Sequence, residues 1–272
     1  MPKTLSIASW NVEHFRGHPD RVERVVEFLK KQDPDVFAVY EVEGKTVFRT
    51  LMAEMPGYSF HITEGENTQE ILAGVRNTLT SFVSQRTAYQ SGVFRLRPGL
   101  LATVSNGEAT YSILFMHTKS GDRPRDLGLR DDMFTRAAKF RKILDRVPGG
   151  DGSANYLFVG DFNTMGMRYR YNRDQDIDVT EELEKLEKMA AASGMRHLTK
   201  DEPFTFWNGT GSRYPRSDLD HVFASDHLVF TQFGGADVTV RGWPKEGSED
   251  EMDEWISQYS DHALLYLEIQ EP

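Results

Sequence analysis

Residues 5–41 read as strand, helix, strand, and no other stretch restricts the fold as much. The first run, 5–12, is β-prone and interrupted by serines. Residues 18–32 carry Val22, Val25, Val26 and Leu29 at the spacing i, i+3, i+4, i+7, which puts four apolar side chains on one face of a helix. Pro34 stops that helix. The run 35–41, DVFAVYE, is apolar almost without a break and ends on an acid. A strand with two apolar faces has to lie between two other layers. The opening therefore predicts a β-α-β unit inside a layered α/β fold.

The alternation continues along the chain. Strands are expected over 70–75, 80–83, 92–96, 100–104 and 110–117, with Asn106-Gly107 as a tight hairpin turn. A helix is expected over 131–147, a Pro/Gly loop over 148–152 and a strand over 156–162. A second helix spans 180–193, with Thr180 as N-cap and Gly194 just past its end. Strands over 219–224 and 262–269 follow. No repeat or linker interrupts the pattern, and 272 residues suit one catalytic-sized domain over 1–272. Helices on both sides of the strands fit a two-sheet sandwich with outer helices or a doubly wound sheet. The acidic segment 246–254, EGSEDEMDE, reads as a solvated loop.

There is no cysteine, which excludes disulfides and thiolate metal sites. Any metal must sit on Asp, Glu, Asn or His, and such ligands favour a hard cation, Mg²⁺ or Mn²⁺. The formal net charge of −10 argues against binding nucleic acid by bulk charge but leaves room for a local basic groove. No stretch is apolar enough to span a bilayer, and the first residues lack a sustained apolar leader. A cytoplasmic monomer without an obligate protein partner is expected.

Polar residues close several of the apolar runs. Asn11 and Glu13 follow the first, Glu41 ends the second, and His117 ends 112–116. Asp161 and Asn163 follow 156–159, Asp220 and His221 enter Val222-Phe223, and Asp261 and His262 precede 263–265. One such end is ordinary turn chemistry. Six of them, nearly all acid, amide or imidazole, suggest a shared site for a hard metal with an acid–base pair. Hydrolysis of a phosphate ester needs such a set. A cation offsets charge growing on the phosphorus oxygens, a carboxylate deprotonates water, and an imidazolium donates to a non-bridging oxygen.

In order along the chain, SWNVE (9–13), YEV (40–42), MHTKS (116–120), GDFN (160–163), SDLDH (217–221) and SDH (260–262) resemble the motifs of the endonuclease/exonuclease/phosphatase superfamily. The resemblance implies a four-layer α/β sandwich, two mixed β-sheets packed together with helices on the outer faces. It also implies a divalent-metal-dependent hydrolase. Glu41 would be the principal metal ligand, assisted by Asn11 and Asp261. Asp161 would position or deprotonate the attacking water, and Asn163 would bind near the scissile phosphate or a second metal. His262, oriented by Asp220, would stabilise the transition state, and His117 would contact the phosphate. Two positions depart from the pattern: His221 stands where Tyr is common, and Tyr40 where Gln is common. Either could alter substrate fit.

The loops have to choose the ester. Arg168 and Arg170 alternate with Tyr169 and Tyr171 after the GDFN run, Arg213 and Tyr214 precede Asp220, and Lys119 follows His117. Arg pairs with phosphate and Tyr offers a stacking face, so DNA is the leading substrate and an endonuclease the leading activity. The acidic segment weighs against a polyanion. Trp243 and Trp255 offer at most a small apolar contact for a lipid. The second hypothesis is a phosphatase or phosphodiesterase for a small or lipid phosphate. The third is a binding module of the same fold without activity.

Overall fold

The computed structural model describes residues 3–65, 69–147 and 153–270. Its elements run β1 (Lys3–Phe15), α1 (Pro19–Gln32), β2 (Val36–Val42), α2 (Lys45–Glu54), β3 (Tyr58–Ile62), β4 (Glu70–Arg76), β5 (Thr80–Arg86), β6 (Gly99–Ser105), β7 (Thr110–His117) and α3 (Pro124–Leu144). They continue with β8 (Asn155–Asp161), α4 (Val179–Ala191), β9 (Met195–His197), β10 (Asp220–Ser225), β11 (Val238–Arg241), α5 (Glu249–Gln258) and β12 (Leu264–Gln270).

The strands form two six-stranded sheets, in the orders β11-β12-β1-β2-β4-β3 and β5-β6-β7-β8-β10-β9. Both are mixed. β1 and β2 run parallel in the first, β7 and β8 in the second, and the other pairs are antiparallel. Strand alternation divides the core. Ile113 and Phe115 of β7 pack in the cluster shared with Ile7 of β1 and Val39 of β2, between the sheets. Leu114 and Met116 point the other way, into a cluster with Phe134 and Ala137 of α3 and Leu186 of α4. The four apolar residues of α1 are buried in the inter-sheet cluster's extension over β1 and β2. This is the four-layer α/β sandwich, not a single doubly wound sheet.

Several elements differ from the sequence pattern, each for a local reason. Residues 92–96 are turns rather than a strand, because Ser91 and Gly92 take left-handed φ of 49° and 73° and reverse the chain. α3 begins at Pro124, seven residues before its expected start, because its first two turns bury charged residues, Asp126 and Arg130. Asp178 caps α4 in place of Thr180, in a reciprocal capping box with Glu181. The acidic segment is largely helix: Ser248 caps α5, and Glu249, Asp250 and Glu251 occupy the first turn, where the helix dipole favours anions. Trp243 and Trp255 are core residues, with the Trp255 ring 6.1 Å from that of Trp10, so they offer nothing to a lipid surface. The Pro/Gly loop at 148–152 lies outside the described residues. Among the described residues no helix is long and apolar enough to cross a membrane.

Candidate active site

Five of the six polar strand ends line one cavity of about 510 Å³ at the seam of the two sheets, and the sixth, Asp220 with His221, stands behind it, where Asp220 bonds His262. Asn11, Glu13, Glu41, His117, Asp161, Asn163, Asp261 and His262 all line it.

The local chain is bent to bring them there. β1 loses register with β2 between Asn11 and Phe15, and Glu13 and His14 take φ of 24° and 44°. This bulge aims the His14 N–H at Glu41 Oε2, 2.9 Å away. Glu41, Gln69 and Asn163 also have positive φ, so five of the seven described non-glycine residues in that region line this cavity. Backbone strain is concentrated where side chains must be re-aimed. Gly160 has φ 150°, and a Cβ there would lie 1.9 Å from Met116 O. Only glycine lets β8 run this close to β7 just before Asp161.

Asp161 is the hub. Its Oδ2 accepts from Asn11 Nδ2 at 2.9 Å and lies 3.3 Å from His117 Nε2 and 3.9 Å from His262 Nε2. Its Oδ1 accepts from the Asn163 amide at 3.0 Å. His262 is fixed on its other side: Nδ1 is 2.8 Å from Asp220 Oδ2, and Trp10 Nε1 donates to its carbonyl at 2.8 Å. The Phe206 ring lies beside it, centroid to centroid 5.0 Å.

The electrostatics follow from burial and crowding. Burial alone would push His262 toward neutral, but the carboxylates of Asp220 and Asp161 outweigh it and hold the ring in the charged form. Burial raises Asp161; the His262 charge opposes the shift and Asp220 adds to it. Burial likewise raises Asp261, to about 6, with His262 opposing and Glu13 and Glu41 reinforcing. His117 is driven well below its ordinary value by burial, with Arg97 and His262 adding to the effect, and it stays neutral.

The donors suited to a hard cation are oxygens: Glu41, held by His14 N and by Gln69 Nε2 at 3.2 Å, and Asp261, crowded by Glu13 and Glu41. That oxygen-only set fits Mg²⁺ or Mn²⁺. Asn11 stands beside Glu41 but presents its amide nitrogen to Glu41 and Asp161, while its oxygen accepts from Glu13 N. Among the described residues, the one group of three acid or imidazole ligands whose atoms lie within 4.8 Å of one another is Asp161, Asp220 and His262. With His262 charged and Nδ1 committed to Asp220, that group holds a proton.

The four basic candidates stand outside the cavity lining. The Lys119 ammonium pairs with Asp126 at 3.3 Å. Arg168 is exposed and 3.7 Å from Asp122, Arg170 lies over the Tyr171 ring, and Arg213 lines a shallow neighbouring depression. Arg97, from the β5–β6 connection, does line the cavity and is braced by two bonds to Gln69. His14, Gln69 and Phe206 line the cavity too and, like Arg97, are not marked by the sequence pattern, whereas Tyr214, expected as a stacking face, is in the lining. The signal for Arg97 was available: a cation directly before Pro98-Gly99, at a strand start. The two departures noted in the sequence do not touch substrate space. The Tyr40 hydroxyl bonds Ser9 Oγ at 2.9 Å between the sheets, and His221 is fully buried behind Asp220.

A family model described as the endonuclease/exonuclease/phosphatase family matches residues 8–262. No curated protein matches the chain. Among solved structures, truncated TDP2 of Caenorhabditis elegans superposes with a TM-score of 0.67 at 17% identity, over 98% of this chain and 98% of that one. TDP2 of D. rerio, complexed with a single-strand DNA product, gives 0.67 at 17% identity, over 98% and 99%. A mannosyl-6-phosphatase of Bacteroides thetaiotaomicron gives 0.62 at 14% identity, over 98% and 100%. At these identities the likeness is one of fold.

Proposed function

This chain belongs to the endonuclease/exonuclease/phosphatase family, and on that footing we propose that it is a divalent-metal-dependent phosphodiesterase acting on DNA, with internal cleavage favoured. The observation that carries the reading is His262 held between Asp220 and Asp161, with Nε2 on the cavity side.

Asp161, fixed by Asn11 and the Asn163 amide, takes the proton of the attacking water. The charged His262 donates through Nε2 to a non-bridging phosphate oxygen, and Asp220 keeps Nδ1–H and the ring plane in place. Asn163 and His117 border the same space and contact the phosphate. Among the described residues, Arg97 supplies the one guanidinium of the cavity wall. Glu41 and Asp261, with Asn11 beside them, would hold the cation, which supplies charge stabilisation on the phosphorus and leaving oxygens.

DNA is favoured because Arg168, Arg170 and Arg213 stand exposed beyond the cavity, where an extended polyanion would pass. The acidic face of α5 is partly turned inward to the 208–216 loop: Glu249 pairs with Arg216 at 2.8 Å, and Asp253 binds Thr210. The DNA complex of the D. rerio neighbour supports the same choice. A small phosphate ester is the second reading. It is favoured by the cavity lining itself, where Arg97 is the sole guanidinium among the described residues, and by the mannosyl-6-phosphatase neighbour.

The test is nicking of supercoiled plasmid with Mg²⁺ or Mn²⁺ by wild type and Asp161→Asn, with EDTA as control. Metal-dependent nicking lost in the variant supports the nuclease. Inert plasmid together with phosphate release from sugar phosphates would transfer the assignment to the second reading.

A further inference from the structure

The backbone that enters β10 is gripped from outside its own strand. Leu219 N and Asp220 N both donate to Thr205 Oγ1, at 3.0 Å each. Leu219 O accepts from Phe162 N at 2.8 Å. Asp218 O accepts from Thr164 Oγ1 at 2.8 Å and lies 3.2 Å from His221 Nε2.

The carbonyl of Asp220 takes a charged donor, the Lys200 ammonium, at 2.7 Å. The position is telling. β9 pairs with β10 through His197 opposite Phe223, and Leu198 N still donates to Val222 O. Then the chain leaves the ladder, and residue 200 bridges to Val238 instead. A continued ladder would set residue 200 opposite Asp220. The Lys200 side chain reaches back to the place its backbone has vacated.

That ammonium is buried, with only 7% of its side chain exposed, and its partner is the Asp218 carboxylate. His221 Nδ1 is 3.5 Å away and in turn faces His197 Nε2 at 3.2 Å. Burying an ion pair is a poor way to gain stability, since an apolar pair of similar size does as well or better. A charge placed on one particular carbonyl calls for a different account.

We propose that Lys200 is a positioning residue for the Asp220–His262 pair: its ammonium fixes the Asp220 peptide on the side where the ladder has ended, and so fixes the carboxylate that orients His262. The inference rests on the catalytic role proposed above for His262. Lys200 itself touches neither substrate nor cation.

The experiment compares wild type, Lys200→Met, and Lys200→Met combined with Asp218→Asn, all as the full chain. Three quantities are read: melting temperature, the downfield proton resonance of His262 Nδ1–H in metal-free protein, and kcat and KM on bis(4-nitrophenyl) phosphate with Mn²⁺. Lys200→Met leaves the half-buried Asp218 carboxylate without its ammonium partner and melts early. The double variant removes that charge and regains most of the melting temperature. Its His262 resonance still moves upfield or broadens, and kcat stays down by about tenfold or more with KM little changed. Lys200→Gln with Asp218→Asn keeps a neutral donor and restores part of both signals; it also serves if the Met variants do not fold. A double variant with regained melting temperature and an unmoved resonance overturns the proposal, as does a wild type without that resonance. The resonance needs no substrate, so an inactive wild type would count against the function and leave the Lys200 comparison decisive.

Discussion

Asp161 and Asp220 stand directly opposite each other on β8 and β10, and His262, two residues before β12 of the other sheet, lies against both. Two buried carboxylates this close need a cation between them, and the imidazolium is that cation. Replacing His262 by Gln should lower kcat by about 10²- to 10⁴-fold with a small change in KM. Asp220→Asn should lower kcat in the same direction, because the ring loses the carboxylate charge that keeps it protonated and retains only a neutral amide beside Nδ1. Steady-state kinetics on one diester substrate measures both; a change confined to KM would contradict the assignment.

Gly160 tests the geometry beneath the hub. An alanine Cβ would meet Met116 O at 1.9 Å and the Tyr40 hydroxyl at 2.9 Å. Gly160→Ala is expected to cost about 2–4 kcal/mol, from steric overlap and from strain at positive φ. Urea unfolding measures it, and a midpoint equal to wild type would refute the close approach.

Arg130 is fully buried, and all its donors are used. It forms a two-point pair with Glu182 at 2.6 and 2.9 Å and donates to the carbonyls of Lys119, Gly121 and Gly166. One guanidinium thus ties together the loops after His117 and after Asp161. Arg130→Met should destabilise by about 3–5 kcal/mol, since it strands a buried carboxylate. Adding Glu182→Gln should recover part of that loss. A double-mutant cycle with no coupling would show the two residues to be independent.

Cation removal should abolish turnover, and the ligands should separate from the proton-handling groups. Glu41→Gln and Asp261→Asn are expected to weaken Mn²⁺ binding by at least about tenfold. His117→Asn should leave it nearly unchanged while lowering turnover. Titration calorimetry on the free protein decides this without any substrate.

Away from the site, Asp237 gives a pH test. Burial would raise it, but Arg196 at 2.6 Å, Gln232 and the Thr199 amide together hold it below its ordinary value. A lowered carboxylate binds its proton less readily folded than unfolded. Its contribution is therefore complete above the unfolded value, near about 4, and is lost as the pH falls through the folded one. The melting-temperature gap between wild type and Asp237→Asn should be widest near neutrality and close in acid. A gap that widens in acid would reverse the sign.

The sequence made the candidate site's side chains legible because each lies at one end of an apolar run: Glu41 closes VFAVY and Asp161 closes YLFVG, while His262 opens ALL. Such ends are visible without knowing which strands are neighbours. Arg97 is not visible by this rule, since it is a cation set before Pro98 and Gly99 rather than an acid, amide or imidazole at the end of an apolar run. Lys200 was hidden more deeply. Nothing nearby in sequence shows that β9 stops two residues short of it, or that its side chain returns to β10. The helix at 249–258 was missed because its acids mask the spacing of Met252, Trp255 and Ile256. The basic loops were found, yet their distance from the cavity could not be, because loop reach depends on tertiary packing.

β12, residues Leu264–Gln270, sits inside its sheet, between β11 and β1, rather than at an edge. Its pairing with β1, the first strand, brings Asp261 and His262 beside Asn11. A polypeptide still emerging from the ribosome has Glu41, His117 and Asp161 in hand but not the imidazolium or the second acid. A chain cut before residue 260 lacks both Asp261 and His262, so such a fragment is expected to be inert toward any ester that the proposed site would hydrolyse.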